Sequence, residues 1–194
     1  VGGETTTNPE RYLISISLIG TVRKDRYPSR AGAKPGDAIF VTGELGGSIA
    51  GKHLDFEPRL AEAHWLVSNF DIHSMIDLSD GLAGDLRHIL NASKVGAELL
   101  DTAIPISRAA KLQAQAESSA KPPLLAALTD GEDFELLFTV ASADAVRLLD
   151  AWKAQFPTLK LSCVGKVLQT PGFKIRDKRG LRDLNLKGYT HFDR

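Results

Sequence analysis

The chain has 194 residues and a single cysteine, Cys163. One cysteine excludes a disulfide bond within the chain and a metal centre made of several thiolates, and it fits a reducing compartment such as the cytoplasm. Apolar Leu161 and Val164 lie close to Cys163 in the sequence. We therefore expect the side chain of Cys163 to be buried in the core.

Aromatic residues are scarce, at 7% of the chain, and the 24 basic and 24 acidic side chains cancel. A nucleic-acid groove or a surface for anionic membranes needs a basic patch, which this balance does not favour. Long apolar runs are also missing, so no segment reaches membrane-spanning length, and the start lacks the basic-then-apolar pattern of a secretory signal. These absences favour a small-molecule ligand and predict neither a nucleic-acid nor a membrane partner.

The distribution of apolar residues predicts strands that alternate with helices. Helical spacing is found over residues 57–70, where Leu60, His64 and Val67 share a face, and again after position 81. Short apolar or alternating runs predict strands at residues 12–22, 38–42, 97–100, 134–140, 160–168 and 172–177. Strands interleaved with helices predict a mixed β-sheet covered by helices.

The most informative segment is Asp-Leu-Ser-Asp-Gly-Leu at residues 77–82, which we call the aspartate turn. A short apolar run ends just before it, and the residues that follow repeat at helical spacing: Leu82, Leu86, Ile89 and Leu90. The pattern therefore predicts a strand that turns into a helix near Gly81, with Ser79 or Asp80 as a candidate N-cap.

Two carboxylates and a hydroxyl at such a turn suggest a site for metal and phosphate. Backbone N–H groups at the start of a helix attract anions. Asp77 and Asp80 would repel a phosphate unless divalent cations bridged their oxygens to it. The alternative is that Asp77 only ends a strand and that Asp80 only caps a helix.

Two further loops contain residues that could take part in chemistry. Residues 43–48, the glycine loop, resemble a phosphate-binding loop but lack its Gly-Lys-Ser/Thr ending, which favours a plain loop. Residues 130–135, the acid turn, place several carboxylates before an apolar strand. For Glu135 we expect an outward-pointing side chain on an edge strand.

Arg30 lies in a loop before the strand at residues 38–42, where a guanidinium could bind phosphate, although most loop arginines are solvated. The first residues, Val-Gly-Gly-Glu, have no initiator methionine and a composition typical of the middle of a loop. We therefore expect the chain to be a fragment of a longer protein.

Five segments stand out along the chain, at residues 2–6, 29–37, 75–82, 131–136 and 188–192. Their sequences and order resemble those of the thiamine-monophosphate kinase family, which belongs to the superfamily of aminoimidazole ribonucleotide synthetase and selenophosphate synthetase. The resemblance implies an α+β fold of α/β/α layers. It also implies that residues 1–27 end an N-terminal domain that binds ATP and magnesium, and that residues 28–194 form a C-terminal α/β domain.

The resemblance also implies an activity, in which the γ-phosphoryl group of ATP is transferred to thiamine monophosphate to give thiamine diphosphate. It implies Mg²⁺ as the metal, a homodimeric full-length enzyme, and no side-chain catalyst, since the substrate phosphate is itself the nucleophile. The implied roles are ATP binding by Gly3, Glu4, Arg30 and Ser79, metal binding by Glu4, Asp77 and Asp80, and substrate binding by Glu132 and Tyr189.

The chain departs from the family pattern at two positions. Glu4 stands where the family has aspartate, and Asp130 stands where it has glycine. With most of the first domain absent, we expect the isolated chain to be an incomplete and inactive enzyme. The alternatives are another ATP-dependent synthetase of the same superfamily and a non-catalytic ligand-binding domain of the same fold.

Overall fold

The computed structural model describes residues 17–22, 24, 27–116 and 121–186. Residues 17–22 form no strand, and the side chains of Leu18 and Ile19 are fully exposed. The strand predicted over residues 12–22 is therefore wrong for its second half, and its first half lies outside the described residues. An apolar alternation forms a strand only where a neighbouring strand can pair with it, and no described strand pairs with residues 17–22.

The described residues form seven strands and five α-helices. The strands are β1 (Asp37–Thr42), β2 (Ile72–Asp77), β3 (Gly96–Leu100), β4 (Leu136–Ala141), β5 (Leu161–Leu168), β6 (Gly172–Asp177) and β7 (Gly180–Asp183). The helices are α1 (Leu60–Asn69), α2 (Leu82–Ser93), α3 (Arg108–Ala116), α4 (Pro123–Thr129) and α5 (Ala145–Gln155).

The strands form one mixed sheet in the order β2, β4, β1, β5, β3, β6 and β7. All pairs are antiparallel except β3 with β6, which are parallel. The predicted α+β fold is confirmed.

Helices cover both faces of the sheet. The side chains of β1 point alternately to the two faces, and on each face they pack in an apolar core beneath a pair of helices. Ile39 and Val41 pack in the core that contains α2 and α4, whereas Ala38 and Phe40 pack in the core that contains α1 and α5. Leu86 and Leu128 anchor the first pair of helices, and Leu66 and Trp152 anchor the second. The three layers are therefore helices, sheet and helices.

The burial predicted for Cys163 is wrong. Cys163 is exposed, because it alternates along β5 with buried Ser162 and Val164 and so faces the other way. In the predicted helix α1, Leu60 and His64 are exposed and Val67 is half-buried, while Leu66 is the buried residue. Among the described helices, none has both the length and the apolar character needed to cross a bilayer.

Candidate functional site at one edge of the sheet

Several loops of interest meet at one edge of the sheet because neighbouring strands run in opposite directions. β1 and β2 both end there, while β4 and β5 begin there. The register pairs Asp77 with Leu136 between β2 and β4, and Val41 with Leu137 between β1 and β4. The glycine loop after β1, the aspartate turn after β2 and the acid turn before β4 are consequently neighbours.

The aspartate turn connects β2 to α2, as predicted. Asp77 ends β2 and is exposed, whereas Ser79 and Asp80 are half-buried. The predicted N-cap is wrong, because Gly81 occupies that position with a φ of 94° and no side chain caps the helix. A positive φ is readily adopted by glycine but costs other residues free energy, which explains why the chain has glycine there.

Asp85, in the first turn of α2, binds back to the aspartate turn that precedes the helix. One of its carboxylate oxygens accepts hydrogen bonds of 3.0 Å from the backbone N–H groups of both Ser79 and Asp80. Asp85 is 1% exposed. Burial raises its pKa to about 7, and the nearby charges of Asp80 and Asp77 add to the rise against the opposing effect of those hydrogen bonds.

Asp85 was not among the functional residues predicted from the sequence. The only signal was an acid in the first turn of a helix that follows an acidic turn, which is common in helices. Asp85 also belongs to a cluster with Asp80 and His88, whose potential ligand atoms lie within 4.8 Å of one another. The start of α2 therefore gathers oxygen ligands of the kind that hard divalent cations prefer.

The acid turn packs directly against the aspartate turn through three backbone hydrogen bonds of 2.8 Å. Glu132 N–H donates to the carbonyl of Ser79, Phe134 N–H donates to that of Leu78, and Leu78 N–H donates to that of Glu135. Ser79 and Glu132, predicted as nucleotide and substrate ligands, are thus held side by side. Their roles stay predictions.

A glycine is required at position 131 by this close approach. A Cβ atom at Gly131 would lie 2.4 Å from the carbonyl oxygen of Ser79, well inside van der Waals contact. The neighbouring Asp130 has an ordinary φ of −83°. Aspartate at this position therefore does not strain the turn that leads to Glu132.

The acid turn stores backbone strain on both sides of Asp133. Glu132 has a φ of 59° and Phe134 a φ of 50°, which are unusual for residues other than glycine. Such conformations cost roughly 1–3 kcal/mol each and persist only where the surroundings fix them. Phe134 is fixed in part by Phe56, whose ring is stacked on its own with centroids 4.2 Å apart.

The glycine loop is bound to the acid turn and is not a phosphate cradle. Both carboxylate oxygens of Asp133 accept from Gly46 N–H, at 3.0 and 3.1 Å, and Asp130 accepts from Gly47 N–H at 3.2 Å. The N–H groups that a phosphate would need are thus already used, so the plain-loop interpretation is correct. Burial of Asp133 raises its pKa to about 6, although the Ser48 hydroxyl and Gly46 N–H oppose the rise.

Glu135 contradicts the expectation of an outward-pointing residue on an edge strand. β4 lies between β2 and β1, and the side chain of Glu135 is 1% exposed. It accepts from Arg59 at 2.8 and 3.0 Å, from Lys52 at 2.8 Å and from the Thr42 hydroxyl at 2.8 Å. Burial alone would raise the pKa of Glu135, but these donors outweigh burial and hold the pKa below its ordinary value.

Among the remaining predicted ligands, Arg30 is the one that the structure describes, and it lies away from this cluster. Arg30 is exposed, and its carbonyl accepts from the Ser93 hydroxyl at the end of α2. Since α2 has 12 residues, this end is about 18 Å from the aspartate turn. Gly3, Glu4 and Tyr189 lie outside the described residues.

The sequence that forms this fold matches a known protein family. The family model of the AIR synthase related protein, C-terminal domain, matches residues 48–178. That match covers more than half of the chain, and the chain belongs to this family.

Individual relatives narrow the resemblance to one kind of enzyme. The chain is 42% identical to the thiamine-monophosphate kinase of Rhodopirellula baltica over 171 residues, which cover 88% of the chain and 52% of the relative. A thiamine-monophosphate kinase structure from Stenotrophomonas maltophilia K279a has a TM-score of 0.66 at 25% identity, covering 79% of this chain and 54% of that one.

A structure described as AaThiL complexed with AMPPCP and TMP has a TM-score of 0.64 at 28% identity, covering 87% of this chain and 55% of that one. The chain thus spans about half the length of the two solved structures and of the Rhodopirellula baltica relative.

Proposed function

We propose that the chain is the C-terminal part of a thiamine-monophosphate kinase, which transfers the γ-phosphoryl group of ATP to thiamine monophosphate. The observation that carries this proposal is the hydrogen-bonded junction between the aspartate turn and the acid turn. It joins a carboxylate-rich helix start to Glu132 in a chain similar to thiamine-monophosphate kinases.

The residues at the aspartate turn fit magnesium. Asp77 is exposed, Asp80 is half-buried, and both offer the carboxylate oxygens that this cation prefers. We assign Asp77 and Asp80 as metal ligands. The chemistry that bound magnesium supplies in phosphoryl transfer is neutralisation of charge between the reacting phosphates.

The chain's own residues bind and orient the two substrates. We assign Ser79 to the nucleotide and Glu132 to the thiamine side, as the resemblance to thiamine-monophosphate kinases implies. The backbone hydrogen bond between the two residues supports a shared site. The attacking oxygen belongs to the substrate phosphate and is already anionic at neutral pH, so the reaction requires no side-chain base. Correct positioning then supplies much of the rate enhancement.

The other implied features are kept as part of the proposal. They are ATP binding by Gly3, Glu4 and Arg30, metal binding by Glu4, substrate binding by Tyr189, a homodimeric complete enzyme and a cytoplasmic location. A boundary between residues 27 and 28 divides the end of the first domain from the second. Arg30 lies at the end of α2 that is far from the aspartate turn. It can therefore contact ATP only if the bound nucleotide extends beyond the aspartate turn, or if another part of the complete enzyme brings ATP to it.

A chimaera tests the proposal directly. The chain replaces the matched part of the Rhodopirellula baltica enzyme, so that the rest of the relative supplies what this chain does not contain. The purified chimaera is assayed with ATP, magnesium and thiamine monophosphate, and we expect thiamine diphosphate to form. Unphosphorylated thiamine serves as the control substrate, because it lacks the attacking phosphate.

Two outcomes would contradict the proposal. A folded chimaera that binds thiamine monophosphate and ATP but forms no thiamine diphosphate would favour the ligand-binding module. A chimaera that consumes ATP only with a different phosphorylated substrate would favour another synthetase of the superfamily.

The isolated chain, in contrast to the chimaera, should form no thiamine diphosphate.

A further inference from the structure

Asp133 follows Glu132 in the acid turn and links this turn to the glycine loop. The proposed function assigns Asp133 no role. Its side chain is 1% exposed. In addition to the two contacts with Gly46 N–H, it accepts a hydrogen bond of 2.5 Å from the Ser48 hydroxyl. The carboxylate of Asp133 is therefore held entirely by the glycine loop.

Glu132 is oriented by what lies on either side of it. Its own N–H is held by the carbonyl of Ser79, and the next residue is held by the glycine loop. Between these two attachments, the backbone of Glu132 has a φ of 59° and its side chain is exposed. Because a non-glycine residue keeps such a φ only when its surroundings impose it, release of one attachment should change the direction of the Glu132 side chain.

We infer that Asp133 is a positioning residue, which fixes the backbone of the acid turn so that the Glu132 carboxylate faces the organic part of the phosphorylated substrate. This inference rests on the proposed function, in which Glu132 contacts the thiamine side. Asp133 itself touches no substrate. It acts through Gly46 and Ser48 on one side and through the backbone of Glu132 on the other.

Chemistry also explains why a carboxylate occupies position 133. Its oxygens satisfy a buried backbone N–H and a hydroxyl of the glycine loop, which an apolar side chain would leave without partners. Asparagine keeps one acceptor oxygen for Gly46 N–H and can exchange donor and acceptor roles with the Ser48 hydroxyl. Asp133→Asn should therefore retain most of the positioning, whereas Asp133→Ala should lose it.

The kinetic test uses the chimaera described above. We expect Asp133→Ala to raise KM for thiamine monophosphate at least tenfold while kcat changes less than threefold, and Asp133→Asn to restore most of the affinity. Glu132→Gln should raise KM as well. The double variant Glu132→Gln with Asp133→Ala should bind no more weakly than the weaker single variant, because both changes remove the same contact.

The matched control is Asp37→Ala. Asp37 is 3% exposed and accepts hydrogen bonds from Lys34 N–H and His73, but it lies at the opposite edge of the sheet. Its loss should lower stability without changing KM. Equal KM values for Asp133→Ala and the wild type, additive effects in the double variant, or the same KM change in Asp37→Ala would overturn the inference.

Amide hydrogen exchange tests the same inference without any activity. In the isolated chain, Asp133→Ala should speed exchange at the N–H groups of Gly46 and Glu132 at least tenfold more than at Leu66 in α1, whose exchange reports the change in global stability. Unchanged exchange at Glu132 would contradict the inference. If the wild-type chimaera makes no thiamine diphosphate, the proposed function fails, and the exchange result then decides only whether Asp133 fixes the backbone of the acid turn.

Discussion

The backbone N–H of Glu132 donates a 2.8 Å hydrogen bond to the carbonyl oxygen of Ser79. These residues belong to segments far apart in the chain, and the antiparallel order of β2 and β4 brings them to the same edge of the sheet. Each segment alone has an ordinary structural explanation. The proposed common binding site rests on their direct contact.

Gly131→Ala tests how closely the acid turn approaches the aspartate turn. The added Cβ would lie 2.4 Å from the carbonyl oxygen of Ser79, and the φ of Gly131 is 32°. We expect a loss of about 2–4 kcal/mol in the free energy of unfolding, measured by urea denaturation.

The control for this change is Gly180→Ala. Gly180 also has a positive φ, of 116°, but a Cβ there would meet no atom within 4 Å. This variant should lose only about 1 kcal/mol, because it adds backbone strain without a clash. Equal losses of stability in Gly131→Ala and Gly180→Ala would mean that the acid turn can move away from the aspartate turn without a cost in free energy.

Glu135→Gln should destabilise the protein, because it removes the buried carboxylate that Arg59 and Lys52 share. These side chains are 19% and 35% exposed, so water can partly compensate their charges, and we expect a loss of about 2–3 kcal/mol at pH 7. Chemical denaturation measures it.

The pH dependence of this effect has a definite sign. Since the folded state holds the pKa of Glu135 below its ordinary value of 4.5, its contribution is present above pH 4.5 and is lost as the pH falls below that value. The difference between wild type and Glu135→Gln should therefore shrink in acid.

Glu98→Gln is the control for Glu135→Gln. Glu98 pairs with Arg176 and Lys166, whose side chains are 49% and 58% exposed. Ion pairs open to solvent contribute little, so this variant should lose less than about 1 kcal/mol. A loss as large as that of Glu135→Gln would contradict the importance given to burial.

Asp133 should give the wild type a pH dependence of the opposite sign. Burial raises its pKa from 3.8 to about 6, so between these values the folded state binds more protons than the unfolded state. Its contribution to stability therefore falls as the pH rises through that window, by at most about 3 kcal/mol.

Urea denaturation of wild type and Asp133→Asn at several pH values between 4 and 7.5 measures this contribution. Asp133→Asn should lack the part of the decline in stability with rising pH that Asp133 causes. A difference in the free energy of unfolding that is the same at every pH does not affect this comparison. Parallel curves for the two proteins would show that Asp133 does not titrate in this range.

The sequence predicted what depends on local periodicity. Short apolar or alternating runs located β1, β3, β4, β5 and β6 to within a few residues, and the motif before Gly81 identified the passage from strand to helix. The mixed sheet with helical cover followed from the order of these elements.

The sequence did not predict features that depend on distant partners. Glu135 was misplaced because Lys52 and Arg59 pair with it only in the folded chain, and because nothing local shows that β4 is an interior strand. Asp85 was missed because its partners, the N–H groups of Ser79 and Asp80, come within reach of its carboxylate only when the turn has folded. Such long-range pairing is set by topology.

The most direct test of the account is Asp77→Asn in the chimaera, since Asp77 is the exposed carboxylate at the end of β2. Asp71→Asn is the control, because Asp71 precedes the other end of the same strand and its side chain is 87% exposed. Turnover is measured at saturating magnesium, ATP and thiamine monophosphate. We predict that Asp77→Asn lowers kcat roughly 100-fold while Asp71→Asn does not change it. Unchanged turnover of a folded Asp77→Asn chimaera would contradict the account.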